Sequence, residues 1–317
     1  MSSVRKAVIT AAGRGTRQFP ASNSVQKELF PLVDVDGYTK PVLQIIVEEV
    51  VASGIDEVCI VANPDNLGDI QRHFRAPASA LEQKLRAKSW GGPLLDRLSE
   101  LAGRIHFVVQ ERQDGYGHAV YQAREWVGGE PFVLMVGDHV YVARERHCVR
   151  QALDAWDAFG SPVSTVTAAP ESTLSRYGIV TGELIGNRTD VYRITKMVEK
   201  PSVEHARAEY RAPGVPEGYY LAFFGINVFP SALFDGLKHL IDTDERERNE
   251  IQLTSALNLL LASEDQYIAA TINGRRYDMG VPEGLIETQV ALALRSPLRE
   301  HVLNAVAEGA SDFGSRQ

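Results

Sequence analysis

The sequence predicts an α/β fold whose central sheet is built largely from parallel strands. Short apolar runs typical of buried strands lie around Val8 and Ile9 and at residues 55–61, 105–109 and 131–136. Residues 42–53 lie between the first two runs, have helical spacing and are followed by Gly54, a common helix terminator. This order predicts a βαβ unit, which places ligand-binding loops at the carboxyl ends of its strands.

The composition is typical of a globular enzyme with a sizeable core. Of 317 residues, 44% are hydrophobic and 23% are charged. The formal net charge of −8 argues against non-specific binding to nucleic acid or anionic membranes. No apolar run approaches the roughly 20 residues of a membrane span, and the first residues lack the apolar segment of a signal peptide. We therefore expect a cytoplasmic protein in which Cys59 and Cys148 are unpaired thiols.

A run of small residues follows the first predicted strand and comprises Ala11, Ala12, Gly13, Gly15 and Thr16. Successive backbone N–H groups in such a turn can bind an anion, and Arg14, Arg17 and Lys27 are near enough in sequence to add positive charge. Two common phosphate-binding motifs do not fit, because Gln18 stands where a dinucleotide-binding loop needs glycine or alanine and Gly-Lys-Ser/Thr is absent. The loop therefore predicts a polyphosphate site of another type.

A second glycine loop follows the strand at 105–109. It begins at Gln110, contains Gly115 and Gly117, and leads into a helix predicted to begin near His118. Taken alone, the segment is equally compatible with an ordinary turn and a partly buried histidine at a helix start. We assign no proton-transfer role to His118.

Asp138 closely follows the apolar strand at 131–136. A carboxylate at the carboxyl end of a strand is well placed to hold a hard cation such as Mg²⁺ against phosphate oxygens. The alternative is an aspartate that caps a turn or a helix. The two preceding glycine loops favour the metal-binding role.

The remaining segments continue the alternation of strands and helices. Helices are predicted at 66–75, 79–102, 249–261 and 283–295, and strands at 162–167, 194–198, 221–229 and 267–272. The helix at 79–102 is predicted to break at residues 91–93, where the sequence is Gly-Gly-Pro. Residues 202–218 are polar, with a predicted lid or connecting loop at 213–216, and residues 304–317 are predicted to fray.

Several of these motifs resemble those of the sugar-1-phosphate nucleotidyltransferase family. The resemblance rests on Gly13-x-Gly15-Thr16-Arg17-x-x-Pro20, Lys27-Glu28-Leu29-Phe30-Pro31, the Gly-x-Gly-His-Ala-Val run at 115–120, Tyr177-Gly178-x-Val180 and Val198-Glu199-Lys200-Pro201. It implies a Rossmann-like nucleotidyltransferase fold with a mixed, mostly parallel central sheet flanked by helices. It also implies a single domain over 5–295 and a partly flexible C-terminal tail at 296–317.

The resemblance assigns roles to individual residues. Nucleotide binding is implied for Ala11, Ala12, Gly13, Gly15, Thr16, Gln110 and Gly115, with Gln110 and Gly115 at the base. Catalytic roles are implied for Arg17, Lys27 and Lys200, and sugar binding for Gly178, Glu199 and Lys200. Asp138 and Asp278 are implied as ligands of Mg²⁺.

The implied reaction joins UTP and glucose 1-phosphate to give UDP-glucose and pyrophosphate, by in-line attack of the sugar phosphate on the α-phosphorus. A dTTP- or CTP-dependent enzyme and a non-catalytic sugar-nucleotide sensor are the alternatives. The family further implies a homodimer or homotetramer, while the net charge and the lack of a long apolar run argue against nucleic-acid and membrane partners. The sequence departs from the family pattern at Asn23, at Gln26 and in an extension at 35–39.

Overall fold

The structure is a computed structural model that describes residues 2–314, with side chains described as far as residue 311. In the described chain the strands are β1 (Lys6–Thr10), β2 (Pro31–Val33), β3 (Thr39–Pro41), β4 (Glu57–Ala62), β5 (Ile105–Val109), β6 (Phe132–Val136), β7 (His139–Ala143), β8 (Val163–Pro170), β9 (Ile179–Leu184), β10 (Val191–Val198), β11 (Tyr219–Phe229), β12 (Ile268–Thr271) and β13 (Gly274–Asp278).

The α-helices of the same residues alternate with these strands along most of the chain. They are α1 (Val42–Ala52), α2 (Leu67–Phe74), α3 (Ser79–Arg86), α4 (Gly91–Ala102), α5 (Tyr116–Tyr121), α6 (Arg124–Val127), α7 (Cys148–Phe159), α8 (Val203–Glu209), α9 (Leu233–Asp242), α10 (Leu253–Ser263), α11 (Pro282–Ala293) and α12 (Arg299–Gly314). None of the described helices is long and apolar enough to cross a membrane.

The chain forms two compact units, each assembled from three segments. The first unit contains residues 2–13, 49–136 and 143–273. The second contains residues 14–48, 137–142 and 274–314. The single domain predicted over 5–295 stays a prediction.

The first unit contains a nine-stranded sheet with the order β5-β4-β1-β6-β11-β8-β12-β10-β9. β5, β4, β1 and β6 are parallel neighbours, β11 is antiparallel to both β6 and β8, and β12 is parallel to β8. β10 is antiparallel to β12 and β9, so every strand of this sheet except β10 and β11 runs in one direction. The predicted mixed, mostly parallel sheet is therefore confirmed.

β1 lies at the centre of the parallel part of the sheet. Val8 is paired in register with Cys59 of β4 and Leu134 of β6, and all three side chains are fully buried. A strand covered on both faces needs apolar residues throughout, which explains why β1 has a continuous apolar run instead of an alternating one. Cys59 and Cys148 are both buried free thiols, as predicted, and burial raises the pKa of each to about 12.

The second unit contains two small sheets, one formed by β2 and β3 and the other by β7 and β13. The predicted loop extension at 35–39 lies at the turn between β2 and β3 and includes the first residue of β3. Lys40 closes this hairpin, because its buried ammonium group lies 2.7 Å from Asp34, 2.6 Å from Asp36 and 2.8 Å from Glu48.

One sequence prediction about local structure is wrong, and two other segments contain helices that the sequence does not predict. The helix at 79–102 breaks at 87–90, and Gly91-Gly92-Pro93 begins α4 because proline needs no N–H partner in the first turn of a helix. The polar stretch at 202–218 contains helix α8, whose first turn is capped when Ser202 Oγ accepts from the His205 N–H at 3.2 Å. Residues 304–314 of the predicted frayed tail belong to α12, while residues 315–317 lie outside the described residues.

Helix α9 was not predicted, although its sequence carries the signal. The buried side chains Leu233, Phe234, Leu237 and Leu240 recur with helical spacing. The ring of Phe234 stacks on Phe132 of β6 with centroids 5.1 Å apart, which attaches α9 to the central sheet.

Replacing Phe132 with alanine tests this packing. Phe132 is fully buried, so its removal leaves a cavity beneath α9, and we expect the free energy of unfolding to fall by about 3–5 kcal/mol. Urea denaturation followed by circular dichroism measures the change. Leu81→Ala in α3 is the control, because Leu81 is 50% exposed and its loss should have little effect. Equal changes in the two variants would contradict the assigned packing.

Candidate functional site

In the first unit, two buried asparagines hold the backbone that follows β1. Asn66 Nδ2 donates to the Ala11 carbonyl at 2.7 Å, and Asn63 Nδ2 donates to the Ala12 carbonyl at 3.0 Å. Gln113 Nε2 also donates to the Ala12 carbonyl, at 2.9 Å. Two carbonyl oxygens that would repel an anion are thereby engaged. Asn66 and Gln113 were missed by sequence reasoning, although the Asn-x-x-Asn run just beyond β4 was a usable signal.

The side chains of Asn63 and Asn66 are each held by the backbone of the other residue. The Asn63 N–H donates to Asn66 Oδ1 at 3.0 Å, and the Asn66 N–H donates to Asn63 Oδ1 at 2.9 Å. This reciprocal arrangement engages two backbone N–H groups just before α2 and orients both side-chain amides toward the β1 loop. Gly13 follows Ala12 and is exposed.

The second glycine loop is held against residue 251. The Gly117 N–H donates to the Ile251 carbonyl at 2.8 Å, and the Ile251 N–H donates to the Asp114 carbonyl at 3.0 Å. A Cβ on Gly115 would lie 2.7 Å from the Ile251 carbonyl oxygen, and Gly115 has φ +104°, so a larger residue would be both crowded and strained. The predicted Gly115 is therefore required by the protein's own backbone.

Gln110 lies beside this loop and is 3% exposed. Its backbone N–H donates to the Ala62 carbonyl at 2.8 Å. Its side-chain Nε2 donates to the Gly115 carbonyl at 3.2 Å and lies 3.0 Å from His118 Nδ1. The structure thus brings together Gln110 and Gly115, the two residues predicted to read the base.

The predicted sugar-binding residues also lie together in the first unit. A Cβ on Gly178 would lie 2.8 Å from Glu199 Oε2, so this glycine leaves room for the carboxylate. Glu199 Oε2 accepts from Thr254 Oγ1 at 2.8 Å, and Glu199 Oε1 lies 3.3 Å from Lys200 Nζ. The Thr254 hydroxyl thus orients the carboxylate, a role that sequence reasoning missed.

Lys200 adopts a backbone conformation that is uncommon for a residue other than glycine. Its φ is +43°, and its carbonyl accepts from Arg248 Nη2 at 3.2 Å. Such conformations persist when surrounding contacts enforce them, and they cluster at functional sites. The Lys200 side chain is 38% exposed, which leaves its ammonium group accessible to a ligand.

In the second unit, a buried lysine joins two carboxylates. Lys27 Nζ lies 2.9 Å from Asp138 Oδ2 and 2.5 Å from Glu28 Oε1. Gly15, predicted as a nucleotide-binding residue, packs beside this lysine, since a Cβ on Gly15 would lie 3.4 Å from Lys27 Cδ. Thr16 follows Gly15, is exposed and begins a short helical turn.

The predicted metal ligands and Arg17 converge near Gly280. A Cβ at Gly280 would lie 2.9 Å from Asp278 Oδ1, 3.0 Å from Asp138 Oδ2 and 2.8 Å from Arg17 Nη2. The Met279 N–H donates to the Asp138 carbonyl at 2.9 Å, and the Gly280 N–H donates to Asp278 Oδ1 at 2.8 Å. The strand pair β7 and β13 therefore brings together two carboxylates that are far apart in sequence.

The charges in this cluster shift the titration of its members. Burial alone would raise the pKa of Asp138, but the ammonium group of Lys27, with smaller contributions from His139 and Arg17, holds it at about 2. Burial opposes the charge of Lys27, but Asp138 and Glu28 raise its pKa above the ordinary lysine value. Burial raises the pKa of Glu28 and lowers that of His139. At neutral pH, Asp138 is consequently a carboxylate and Lys27 an ammonium ion.

The donor set fits a hard divalent cation that is shared with a substrate. Within residues 2–314, no group of three or more histidine, cysteine, aspartate or glutamate side chains could hold a metal ion. Asp138 and Asp278 offer two ionisable oxygen ligands, which matches the way Mg²⁺ is held by one or two carboxylates together with substrate phosphates and water. Glu28 Oε2 and His139 Nδ1 are buried beside this cluster without a hydrogen-bond partner among the described residues.

Comparison with known proteins agrees with the resemblance to nucleotidyltransferases. Residues 6–294 match the family model described as nucleotidyl transferase. The chain is 36% identical over 307 residues to the UTP–glucose-1-phosphate uridylyltransferase YngB of Bacillus subtilis strain 168, covering 96% of this chain and 95% of the relative. It is 33% identical over 313 residues to a UTP–glucose-1-phosphate uridylyltransferase of Staphylococcus haemolyticus, covering 97% and 99%.

Several solved structures with the same fold are UDP-glucose pyrophosphorylases. The enzyme from Acinetobacter baumannii has a TM-score of 0.78 and 25% identity, covering 96% of this chain and 99% of that one. A UDP-glucose pyrophosphorylase complexed with UDP-glucose has a TM-score of 0.71 and 26% identity, covering 91% and 98%. The predicted nucleotidyltransferase fold is confirmed, and the chain belongs to the nucleotidyl transferase family.

Proposed function

We propose that this protein is a UTP–glucose-1-phosphate uridylyltransferase, which converts UTP and glucose 1-phosphate into UDP-glucose and pyrophosphate. The observation that carries the proposal is the convergence of Asp138, Asp278 and Arg17 on Gly280, beside the buried ammonium group of Lys27. This arrangement suits a polyphosphate and a hard cation. The identity of the substrates is supported by the full-length relatives, which are uridylyltransferases that use UTP and glucose 1-phosphate.

The proposed reaction needs no covalent intermediate with the protein. A sugar phosphate is already anionic at neutral pH, so its oxygen can attack the α-phosphorus of UTP without a general base, and pyrophosphate leaves. The protein must align two anions that repel each other and must stabilise the charge that develops. Arg17, Lys27 and Lys200 are proposed to do this as phosphate-facing cations. Ala11, Ala12, Gly13, Gly15 and Thr16 are proposed to line the nucleotide.

Asp138 and Asp278 are proposed to hold Mg²⁺, which when bound supplies neutralising charge at phosphate oxygens. Lys27 supports this role because its ammonium group keeps the Asp138 carboxylate ionised and holds it in place, with Lys27 Nζ 2.9 Å from Asp138 Oδ2. Glu199 and Gly178 are proposed to contact the sugar. The Thr254 hydroxyl keeps the Glu199 carboxylate oriented for that contact.

Assembly and location are also proposals. Exposed apolar side chains on α11 and α12, namely Ile286, Val290, Leu303 and Val306, support a homodimer or homotetramer that would cover them. The predicted cytoplasmic location, like the predicted lack of nucleic-acid and membrane partners, stays a prediction.

Pyrophosphate release in the presence of Mg²⁺ tests the proposed reaction. UTP, dTTP, CTP, ATP and GTP are each paired with glucose 1-phosphate and with other sugar 1-phosphates. Fastest release from UTP and glucose 1-phosphate supports the proposal. Preference for dTTP or CTP would favour another transferase, and release from none of the pairs would favour a non-catalytic sensor.

Replacing either aspartate with asparagine is expected to remove most turnover. Asp138→Asn and Asp278→Asn each remove one anionic ligand, and we expect the rate to fall by about two orders of magnitude or more while the circular dichroism spectrum is retained. Asp69→Asn is the control, since Asp69 is an exposed residue paired with Arg72 on α2. Near-parental rates of both site variants at limiting Mg²⁺ would refute the assignment.

Replacing Lys200 is expected to affect the sugar phosphate more than the nucleotide. Loss of one charge-assisted contact should cost about 1.5–3 kcal/mol, or roughly one to two decades in kcat/KM for glucose 1-phosphate. Separate titrations of UTP and glucose 1-phosphate with Lys200→Ala measure this effect. Lys196→Ala serves as the control because Lys196 is exposed and paired with Glu209. A loss confined to UTP, or equal for both substrates, would contradict the role of Lys200.

Gln110→Ala is expected to weaken the preference for pyrimidine over purine nucleotides. The buried Gln110 and the Gly115 loop present hydrogen-bonding groups that suit a pyrimidine better than the larger purine. Discrimination between uracil and thymine is expected to be weaker, because one methyl group changes the binding free energy by only about 1–3 kcal/mol. Competition between UTP and ATP or GTP, with parent and variant, measures the preference. The requirement for Mg²⁺ should be unchanged in the variant. A parent that prefers ATP, or a variant with parental selectivity, would move the base site elsewhere.

A further inference from the structure

Gln18 is a polar side chain that is buried in the second unit. It follows Arg17 in the short helical turn at 16–18 and is 6% exposed, whereas the Arg17 side chain is 62% exposed. Sequence reasoning used this position only to exclude a dinucleotide-binding loop. A buried amide needs hydrogen-bond partners, because its polar atoms lose free energy when they leave water unpaired. The partner of Gln18 therefore indicates its role.

The Gln18 amide joins the turn at 16–18 to the end of β13. Gln18 Nε2 donates to the Met279 carbonyl at 2.8 Å, and the two residues are 261 positions apart in the chain. Met279 lies between Asp278 and Gly280, and a Cβ at Gly280 would lie 2.8 Å from Arg17 Nη2. The hydrogen bond therefore connects the segment that carries Arg17 with the segment that carries Asp278.

The end of β13 has anchors that do not involve Gln18. The Met279 side chain is fully buried, and the Met279 N–H donates to the Asp138 carbonyl at 2.9 Å. The Gly280 N–H donates to Asp278 Oδ1 at 2.8 Å. We therefore expect Asp278 to keep its position when the amide of Gln18 is removed.

The turn that carries Arg17 depends more on the amide. Two backbone hydrogen bonds, both within residues 15–19, close the turn on itself at N···O distances of 2.9 and 3.3 Å. The packing of Gly15 beside Lys27 lies at the start of the turn, before Arg17. Arg17 Nη1 is 3.9 Å from Asp278 Oδ2, and exposed ion pairs of this kind contribute little free energy. The buried bond of Gln18 is thus the stronger link between the turn and β13.

We infer that Gln18 is a positioning residue, whose buried amide ties the turn at 16–18 to the Met279 carbonyl and so holds the Arg17 guanidinium beside Asp138 and Asp278. The inference rests on the proposed function, in which Arg17 is a phosphate-facing cation. A guanidinium that is held in place beforehand loses less conformational freedom when it meets a phosphate group. Gln18 thereby favours phosphate binding without touching the substrate.

Two consequences separate this role from a general effect on the fold. Because Gln18 acts through Arg17, its removal has little further effect in a protein that already lacks the Arg17 side chain. Because the end of β13 is anchored independently, removal of the Gln18 amide leaves the response to Mg²⁺ unchanged.

The test measures kcat/KM for UTP in Gln18→Met, Arg17→Ala and the double variant. Methionine has nearly the length of glutamine but no donor, and we expect kcat/KM to fall by about five- to tenfold in the parent background. In the Arg17→Ala background, the same substitution should change kcat/KM by less than about twofold. The Mg²⁺ concentration that gives half the maximal rate should stay within about twofold of the parental value. Gln83→Met is the control, because Gln83 is exposed on α3.

Binding of pyrophosphate without Mg²⁺ provides a readout that does not depend on turnover. Isothermal titration calorimetry should show that Gln18→Met weakens this binding by about five- to tenfold, and that the effect is lost in the Arg17→Ala background. Gln18→Asn has an amide that is one carbon shorter and falls short of the Met279 carbonyl. It should behave like Gln18→Met, and it replaces that variant if methionine prevents folding.

Parental kcat/KM in folded Gln18→Met would overturn the inference. An undiminished loss in the Arg17→Ala background would also overturn it, because Gln18 would then act elsewhere. A higher requirement for Mg²⁺ would contradict it as well, since the amide would then act on a metal ligand. Failure of the parent to release pyrophosphate from UTP and glucose 1-phosphate would instead refute the proposed function, and the calorimetric comparison would still decide the inference.

Discussion

A single buried ammonium group, that of Lys27, holds the charged cluster of the second unit together. It lies within 2.9 Å of Asp138 and at 2.5 Å from Glu28, whose side chain is fully buried. Burying charges costs several kcal/mol per ion, and removing one partner leaves the others uncompensated. Replacing such a buried ion cluster with well-packed apolar residues often leaves stability unchanged or raises it. A buried cation between two carboxylates is therefore better explained by the role proposed for its neighbours than by stability.

The backbone provides the second constraint on this cluster. Asp138 precedes β7, Asp278 ends β13, and the two strands pair so that the Met279 N–H donates to the Asp138 carbonyl. Pairing fixes both carboxylates relative to each other before any ligand binds. A preorganised site of this kind spends little free energy on reorganisation when charge develops on a substrate.

Much of the fold could be predicted from the sequence, as could the candidate site residues that the structure brings together, because both are encoded in local motifs. Apolar runs identified β1, β4, β5 and β6. The family motifs identified Lys27, Glu199 and Lys200 as candidate site residues. The supporting contacts could not be predicted, because they join residues distant in the chain. Asn66 is 55 positions from Ala11, and Thr254 is 55 positions from Glu199. Helices α8 and α12 were not predicted for another reason, since polar and small residues also form helices when a cap or a neighbouring helix stabilises them.

Three glycines leave room for polar groups of the protein itself. In the structure, the space beside Gly115 contains the Ile251 carbonyl, and the space beside Gly178 contains the Glu199 carboxylate. The space beside Gly280 is bordered by Asp138, Asp278 and Arg17. These glycines therefore let the protein's own polar groups approach the loop closely, and those groups, fixed in this way, are what a substrate would meet.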